Sequence, residues 1–233
     1  MYLQNAAVDG DPSGDYPYDL PAVRALSGID FAPVTVLVGD NGSGKSTVVE
    51  ALAIAAGFNA EGGSRNLLFE TYATHSDLAD QLALRWNRRP KWGWFLRAET
   101  FYGMASHIHE DSGLLQIFPD LHHRSHGESF LTLIESRMTG DGLYFLDEPE
   151  SALSFHGQLK LLAAIDGAVA AGAQFIVATH SPVLMALPGA VIYELDGEGA
   201  HRTEWGEVES VQLWRSFLDA PDRFFRHLLD EGS

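Results

Sequence analysis

Residues 39–47, GDNGSGKST, combine three glycines, one lysine and several hydroxyl side chains directly after the apolar run VTVLV. They fit the pattern G-x-x-x-x-G-K-[ST], in which glycines let successive backbone N–H groups point at one anion and the following helix adds its positive end. Lys45 would reach the terminal phosphates of a nucleotide, and the Ser46 hydroxyl would complete a Mg²⁺ shell. The stretch is therefore predicted to be a phosphate-binding loop (P-loop). Its predicted contact residues are Asn41, Gly42, Ser43, Gly44, Lys45, Ser46 and Thr47.

A second stretch that could carry chemistry is GLYFLDEPES, residues 142–151. Its apolar residues predict a buried strand, and Asp147 and Glu148 follow at the carboxyl end, where open α/β sheets bind their ligands. Asp147 is expected to hold Mg²⁺ through water, and Glu148 to polarise the water that attacks the γ-phosphate. An acidic N-cap of the next helix is the alternative. The P-loop upstream favours the catalytic interpretation.

A third polar cluster ends another apolar run, in FIVATHSP at residues 175–182. His180 could contact the γ-phosphate by a hydrogen bond. A single histidine is more often structural, but the carboxyl end of a second buried strand is where a parallel sheet places its ligands. His180 is therefore a candidate catalytic residue beside Glu148 and Lys45.

Composition limits the class of protein. The chain has 233 residues, 45% of them hydrophobic, and no cysteine. These values fit one large α/β domain without disulfides and a cytoplasmic location. The net charge of −17 argues against nucleic-acid binding, without excluding a local basic patch such as RWNRRPKW at 85–92. No apolar run approaches the ~18–20 residues of a membrane helix, and the first residues do not read as a signal peptide. We therefore expect no direct membrane insertion.

Short apolar strands alternate with helices, which predicts an α/β fold of the P-loop NTPase type with a mainly parallel sheet covered on both faces. The expected strands are 34–38, 93–97, 143–146, 174–178 and 191–195. The expected helices are 46–56, 77–86, 100–109, 129–138, 154–170, 208–218 and 221–229. Helix 77–86 rests on the four-residue spacing of Leu78, Leu82 and Trp86. Residues 1–233 are expected to form a single domain, with 57–128 as an inserted lobe.

The motifs GDNGSGKST, YFLDEPE and ATHSP, in this order and spacing, resemble those of the ABC-type ATPases, including the SMC and double-strand-break repair branch. The resemblance covers roughly residues 30–195. The chain looks most similar to the small, stand-alone predicted bacterial ATPases labelled AAA-family or ABC-like. The resemblance implies an inserted lobe of the ABC type, binding of ATP and Mg²⁺, and ATP hydrolysis with Glu148 as base.

The same resemblance implies two further parts of the site. FLRAETF, residues 95–101, occupies the place of the metal-sensing Q-loop, and Glu99 stands in for the missing glutamine as a metal ligand. SHGES, residues 125–129, takes the position of the LSGGQ-type signature, so Ser125 and Gly127 would bind the γ-phosphate held by the opposite subunit. An ATP-dependent homodimer that sandwiches two ATP molecules follows. The sequence departs from the family pattern at two positions. His126 replaces a glycine of the signature, which approaches the phosphate, and Ser154 replaces the aspartate of the D-loop, which serves communication between subunits.

Three other interpretations stay open. The chain could be an accessory ATPase of the DNA-repair or SMC type, although no sustained heptads separate the P-loop from the signature. It could be the ATP-binding subunit of a membrane transporter, although its signature and Q-loop are degraded. A nucleotide-gated binding module is the third, and Glu148 favours hydrolysis over it. An unidentified partner protein is conceivable in each case. The candidates for stacking on adenine are Tyr16, Tyr18 and Arg24.

Overall fold

The computed structural model of the protein describes residues 1–9, 14–59, 63, 77–98, 131–132, 134, 136, 138 and 140–229. Within these residues the strands are β1 Leu3–Val8, β2 Val34–Val38, β3 Leu82–Trp86, β4 Trp92–Arg97, β5 Gly142–Asp147, β6 Gln174–Ala178, β7 Val191–Leu195 and β8 Ala200–Thr203. The α-helices are α1 Pro21–Arg24, α2 Lys45–Ala55, α3 Phe155–Ala170, α4 Pro182–Met185, α5 Glu209–Asp219 and α6 Pro221–Leu229. Short 3₁₀ helices span Leu26–Gly28, Asp77–Gln81, Pro149–Ala152 and Trp205–Glu207.

The main sheet of the described residues has the strand order β4-β5-β6-β2-β7-β8. The neighbours from β4 to β7 pair in parallel, and only β8 is antiparallel, to β7. Because non-consecutive strands lie side by side, the connections between them must cross the faces of the sheet. The predicted α/β fold with a mainly parallel sheet is confirmed.

The central strands β5, β6 and β2 are buried on both faces of the sheet, as mostly apolar parallel strands require. All six residues of β5 are buried, and they alternate between two cores. Tyr144 and Leu146 pack in the core that contains helix α3, and Leu143 and Phe145 in the core that contains helix α2. Full burial of each such side chain contributes roughly 1.5–3 kcal/mol. The two cores fix the sheet between the helix that follows the P-loop and the helix that follows the acidic strand.

Most predicted helices are confirmed with small shifts of their ends. Helix 46–56 is α2 and starts at Lys45, helix 154–170 is α3, and 208–218 and 221–229 are α5 and α6. Of the predicted helix 129–138, the described positions 131, 132, 134 and 136 are helical and position 138 is not. The predicted helix 100–109 and most of the inserted lobe lie outside the described residues.

The helix predicted at 77–86 is wrong. A short 3₁₀ helix, Asp77–Gln81, is followed by strand β3, which pairs antiparallel with β1. Side chains alternate along β3, with Leu82, Leu84 and Trp86 half-buried and the residues between them exposed. A spacing of four is also a multiple of the two-residue period of a strand. The partner strand β1 therefore decided the structure, and β1 and β8 were not predicted.

Gln174 ties the two-stranded sheet to the main sheet. Its buried side-chain oxygen accepts the N–H groups of Tyr2 and Leu3 at 2.7 and 2.8 Å, and its amide nitrogen donates to the carbonyl of Leu3 at 2.8 Å. An amide is suited to this position because it can both donate and accept. Among the described residues, we find no helix with the length and apolar character needed to cross a membrane.

Candidate functional site

The carboxyl ends of three adjacent parallel strands meet at one edge of the sheet. Strand β2 leads into the P-loop, its neighbour β6 leads into Thr179 and His180, and β5, next to β6, ends in Asp147 before Glu148. The carboxyl edge of an open parallel sheet is where ligands bind. The order β5-β6-β2 therefore brings together three segments that lie far apart in the sequence.

Glycines give the P-loop a backbone that other residues could not adopt. Gly39, Gly42 and Gly44 have φ angles of 142°, 83° and 94°. A Cβ atom at Gly39 would lie 2.2 Å from the carbonyl oxygen of Leu195 on the neighbouring strand β7. Gly44 in the left-handed conformation forms the N-cap of α2. The loop can thus turn tightly and lead directly into a helix N-terminus, which is the arrangement that binds phosphate.

The Lys45 ammonium is held inside the P-loop. Its side chain donates to the carbonyl oxygens of Gly39 and Asp40, both at 2.9 Å, and the residue is 4% exposed. Burial lowers the pKa of Lys45, and the nearby carboxylates of Glu148 and Asp147 only partly oppose this shift. The lysine is therefore a desolvated cation that faces the acids at the end of β5, where its attraction to an anion exceeds that in water.

Asp147 is buried, with 5% exposure, and its two oxygens differ. Oδ2 accepts a hydrogen bond from Nε of Arg97 at 3.2 Å. Oδ1 is buried and has no hydrogen-bond partner among the described residues. A buried carboxylate oxygen requires a partner, and a metal-bound water would supply one. Together with the hydroxyl of Ser46 in the first turn of α2, this oxygen fits the oxygen ligands that Mg²⁺ prefers.

Glu148 has a left-handed backbone conformation, with φ 46° and ψ 50°. For a residue other than glycine such a conformation costs on the order of 1–3 kcal/mol, and it is concentrated at functional sites. Its N–H group donates to the carbonyl of Ala178 on β6 at 2.9 Å, so the neighbouring strand holds the turn. The carboxylate is about one-third exposed and lies 3.4 Å from Nε2 of His180. A partly exposed carboxylate beside a histidine at this edge can accept a proton from water.

Glu150, which the sequence analysis missed, holds the backbone of His180 in place. Its Oε1 accepts the backbone N–H of His180 at 2.6 Å, and its Oε2 is buried without a hydrogen-bond partner among the described residues. Burial raises the pKa of Glu150, and the hydrogen bonds from His180 and Thr179 oppose that shift. The only signal in the sequence is that DEPE carries a third acid. The contact joins the segment after β5 to the segment after β6.

Arg97 and Glu50 are two further residues that the sequence analysis missed. The Arg97 guanidinium lies between Asp147 and Glu50, with Nη2 2.6 Å from Glu50 Oε2. In the sequence, the only indications of a role were that Arg97 ends a predicted strand and that Glu50 lies one helical turn after Ser46. Arg97 lies in the FLRAETF stretch, where the sequence analysis singled out only Glu99, and Glu50 belongs to no recognised motif.

Several predicted site residues lie outside the described part of the chain. These are Glu99, Ser125 and Gly127, together with His126. Ser154 lies within it and is the N-cap of α3, where its hydroxyl accepts the N–H of Gly157 at 3.2 Å. The serine at the D-loop position thus begins the helix that packs against the sheet, as a good N-cap residue does.

The three candidates for stacking on adenine differ in their surroundings. The Tyr16 hydroxyl lies 3.4 Å from Oγ1 of Thr47, at the end of the P-loop, and the residue is 67% exposed. Burial and a hydrogen bond with Asp77 raise the pKa of Tyr18. The Arg24 side chain donates to the carbonyl of Tyr18 at 3.1 Å. Of the three, Tyr16 has an exposed ring next to the P-loop.

A cavity of about 520 Å³ lies against the P-loop, bounded by the turn after β7 and by α5. Its lining includes four acidic residues, Asp40, Glu194, Asp196 and Glu209. Lys45, Asp147, Glu148 and His180 do not line it. Because carboxylates repel phosphate, the acidic lining makes this cavity poorly suited to a triphosphate.

A parallel sheet with a P-loop, an acidic pair and a histidine at the ends of adjacent strands is typical of P-loop ATPases of the ABC-like class. Comparison with known proteins supports that class. The AAA_21 family model, described as "AAA domain, putative AbiEii toxin, Type IV TA system", matches residues 34–88 and 129–186. Both matched parts contain site residues, namely the P-loop in the first and Asp147, Glu148 and His180 in the second. A search of curated proteins gives no match.

Two solved ATP-binding cassettes show the same fold. The ADP conformation of an ATP-binding cassette of an ABC transporter has a TM-score of 0.52 at 14% identity, over 92% of this chain and 99% of that chain. A nucleotide-free ATP-binding cassette from an ABC transporter has a TM-score of 0.51 at 14% identity, over 93% and 96%. The SMC head domain from Thermotoga maritima has a TM-score of 0.49 at 18% identity, over 88% and 99%. On its likeness to the two cassettes, the chain has the fold of P-loop, ABC-like ATPase domains.

Proposed function

We propose that the protein binds Mg²⁺-ATP at the P-loop and hydrolyses it to ADP and phosphate, with Glu148 as the general base. The observation that carries this proposal is the convergence of Lys45, Asp147, Glu148 and His180 at the carboxyl ends of β2, β5 and β6. Phosphoryl transfer needs mainly positioning and charge stabilisation. This edge of the sheet offers anion-binding backbone, a buried cation and an acid.

In this proposal the P-loop binds and orients the triphosphate. The N–H groups of the loop and of the first turn of α2 donate to phosphate oxygens, and Lys45 exchanges its contacts to the carbonyls of Gly39 and Asp40 for contacts to the terminal phosphates. Ser46 and Asp147 would hold Mg²⁺, which neutralises charge that develops on the phosphates. Tyr16, beside Thr47, would stack on the adenine.

Glu148 and His180 then act on the attacking water and the γ-phosphate. Glu148 accepts a proton from the water, whose oxygen forms a bond to the γ-phosphorus. The bond from the γ-phosphorus to the β,γ-bridging oxygen breaks, and ADP leaves with the electron pair. The imidazole of His180, 3.4 Å from Glu148, would donate a hydrogen bond to a γ-phosphate oxygen. Glu150 keeps that imidazole in place through the backbone of His180.

The direct test is phosphate release by the purified full chain supplied with ATP. We expect release that depends on Mg²⁺ and stops when EDTA is added, because Asp147 and Ser46 hold the metal through oxygen atoms. Inorganic phosphate is measured against time at increasing ATP, with the same chain and ADP as the blank. If the protein binds ATP but releases no phosphate in the presence of Mg²⁺, it is a nucleotide-binding module and the proposed hydrolysis is excluded.

We further propose that two copies sandwich the nucleotide, with Ser125 and Gly127 of one copy at the γ-phosphate of the other. What supports this is a pair of exposed apolar side chains on α3, the helix that follows Glu148 in the sequence. Phe155, the first residue of α3, is 61% exposed, and Leu159 on the same helix is 43% exposed. Exposed large apolar side chains next to a site favour an interaction surface.

Light scattering after size exclusion tests the sandwich. We expect Glu148→Gln to elute as a monomer without nucleotide and as a dimer with Mg²⁺-ATP, because a variant that cannot hydrolyse ATP keeps the γ-phosphate that joins the copies. ADP in place of ATP is the matched control, and with ADP the protein should remain a monomer. A monomer at saturating Mg²⁺-ATP would contradict a sandwich formed by this chain alone.

A further inference from the structure

Arg97 bridges two carboxylates at the edge of the candidate site. We propose that Arg97 is a positioning residue for Mg²⁺, which holds one oxygen of Asp147 and ties it to Glu50, so that the other Asp147 oxygen is presented to the metal. This inference rests on the proposed function, because it concerns the same Mg²⁺-ATP site.

The bridge uses two different nitrogen atoms of one guanidinium group. Nε of Arg97 donates to Asp147 Oδ2 at 3.2 Å, and Nη2 donates to Glu50 Oε2 at 2.6 Å. The register of β4 and β5 pairs Arg97 directly with Asp147, so the first contact follows from the sheet. All three side chains are largely buried, with exposures of 20%, 5% and 22% for Arg97, Asp147 and Glu50. A planar, multi-donor guanidinium can make both contacts at once, whereas an ammonium is a single point charge.

The bridge joins the two elements that carry the proposed metal ligands. Glu50 lies four residues after Ser46 on α2, so the two side chains share one face of that helix. Asp147 is the last residue of β5. By holding Glu50 and Asp147, Arg97 fixes the separation between the helix with the Ser46 hydroxyl and the strand with the Asp147 carboxylate. Groups that orient metal ligands in this way commonly affect metal affinity.

The contacts show that Arg97 does not compete with the metal for the same atom. The guanidinium occupies Oδ2 of Asp147, whereas Oδ1 is buried and has no hydrogen-bond partner among the described residues. Burial alone would lower the pKa of Arg97, but Glu50 and Asp147 outweigh it and raise the pKa above its ordinary value. A guanidinium is protonated at every physiological pH, so Arg97 remains a cation. It contacts one oxygen of Asp147 and leaves the other without a partner in the described part of the chain.

The test is the Mg²⁺ dependence of ATP binding, measured by isothermal titration of ATP into the full chain at a series of Mg²⁺ concentrations and in EDTA. We expect Arg97→Gln to raise the Mg²⁺ concentration that gives half of the maximal gain in ATP affinity by about 10-fold or more. Binding in EDTA should be unchanged, because the P-loop is intact. Arg97→Lys should recover only part of the loss. Arg85→Gln, which removes an exposed arginine on β3, is the matched control and should behave as wild type.

Glu50→Gln provides a second variant that breaks the same bridge without changing Arg97. We expect it to shift the Mg²⁺ dependence in the same direction, and the double variant to shift it no further than Arg97→Gln alone, because residues that act through one contact are not additive. An unchanged or lower Mg²⁺ requirement in Arg97→Gln or Glu50→Gln would overturn the positioning role. If the wild-type chain itself binds no ATP, the proposed function fails first; if it binds ATP with Mg²⁺ dependence and the variants match it, only this inference fails.

Discussion

Glu148→Gln should lower kcat for ATP hydrolysis by about 10²–10⁴-fold, the usual contribution of a general base. Glutamine has the shape of glutamate but cannot accept the proton of the attacking water at neutral pH. The left-handed backbone at position 148 should persist, because the N–H bond to Ala178 on β6 does not involve the side chain. The affinity for Mg²⁺-ATP should therefore change little.

Steady-state phosphate release and equilibrium ATP binding measured on the same preparation check this prediction. Glu198→Gln removes an equal charge from an exposed residue between β7 and β8 and should retain wild-type kcat. A Glu148→Gln variant with wild-type kcat would remove Glu148 from the chemistry. The base would then have to be sought elsewhere at the edge of the sheet.

Lys45→Ala should weaken binding of ATP by roughly tenfold to more than a hundredfold, since a hydrogen bond to a charged group contributes about 1.5–3 kcal/mol. The effect belongs to the upper part of this range, because Lys45 is buried and its charge is poorly screened there. Removal of the lysine also leaves the carbonyl oxygens of Gly39 and Asp40 without that donor.

Equilibrium dialysis with ATP checks the loss, and circular dichroism shows whether the variant is folded. Lys160→Ala, at an exposed position of α3, is the control for the removal of one positive charge. Retention of wild-type affinity by a folded Lys45→Ala variant would mean that the triphosphate does not bind at this loop.

The main sheet could be predicted from the sequence because the apolar composition of its strands is visible without knowledge of their partners. Strands β2, β6 and β7 are short, mostly apolar runs, and their predicted ends match the structure. Side chains buried on both faces produce such runs without any information from partners. The mainly parallel arrangement followed from the alternation of these strands with helices.

The two-stranded sheet could not be predicted in the same way, because it depends on a partner far along the chain. LQNAAV in β1 has no clear alternation, and the apolar residues of β3 also fit a helical spacing. The long-range pairing of Leu82 with Val8 and of Trp86 with Leu3 selects the strand. Tertiary contacts of this kind override local preference.

The residues of the candidate site also fall into two groups: those within a local sequence motif, and those whose role depends on contacts between distant elements. Lys45, Asp147, Glu148 and His180 were identified because each follows a strand within a recognisable motif. Arg97, Glu50 and Glu150 act through contacts with other elements, and such contacts leave no periodic pattern. Their partners, Asp147 for Arg97 and the backbone of His180 for Glu150, became visible only when β4, β5 and β6 were placed side by side.

Identification of the nucleotide that stays bound after incubation with Mg²⁺-ATP tests most directly whether this edge of the sheet hydrolyses ATP with Glu148 as base. Wild-type chain and Glu148→Gln are incubated, freed of unbound nucleotide by rapid desalting, denatured and analysed by chromatography. We expect ADP from the wild type and unhydrolysed ATP from Glu148→Gln. ADP in equal amounts from both chains, or no retained nucleotide in either, would contradict the proposed site.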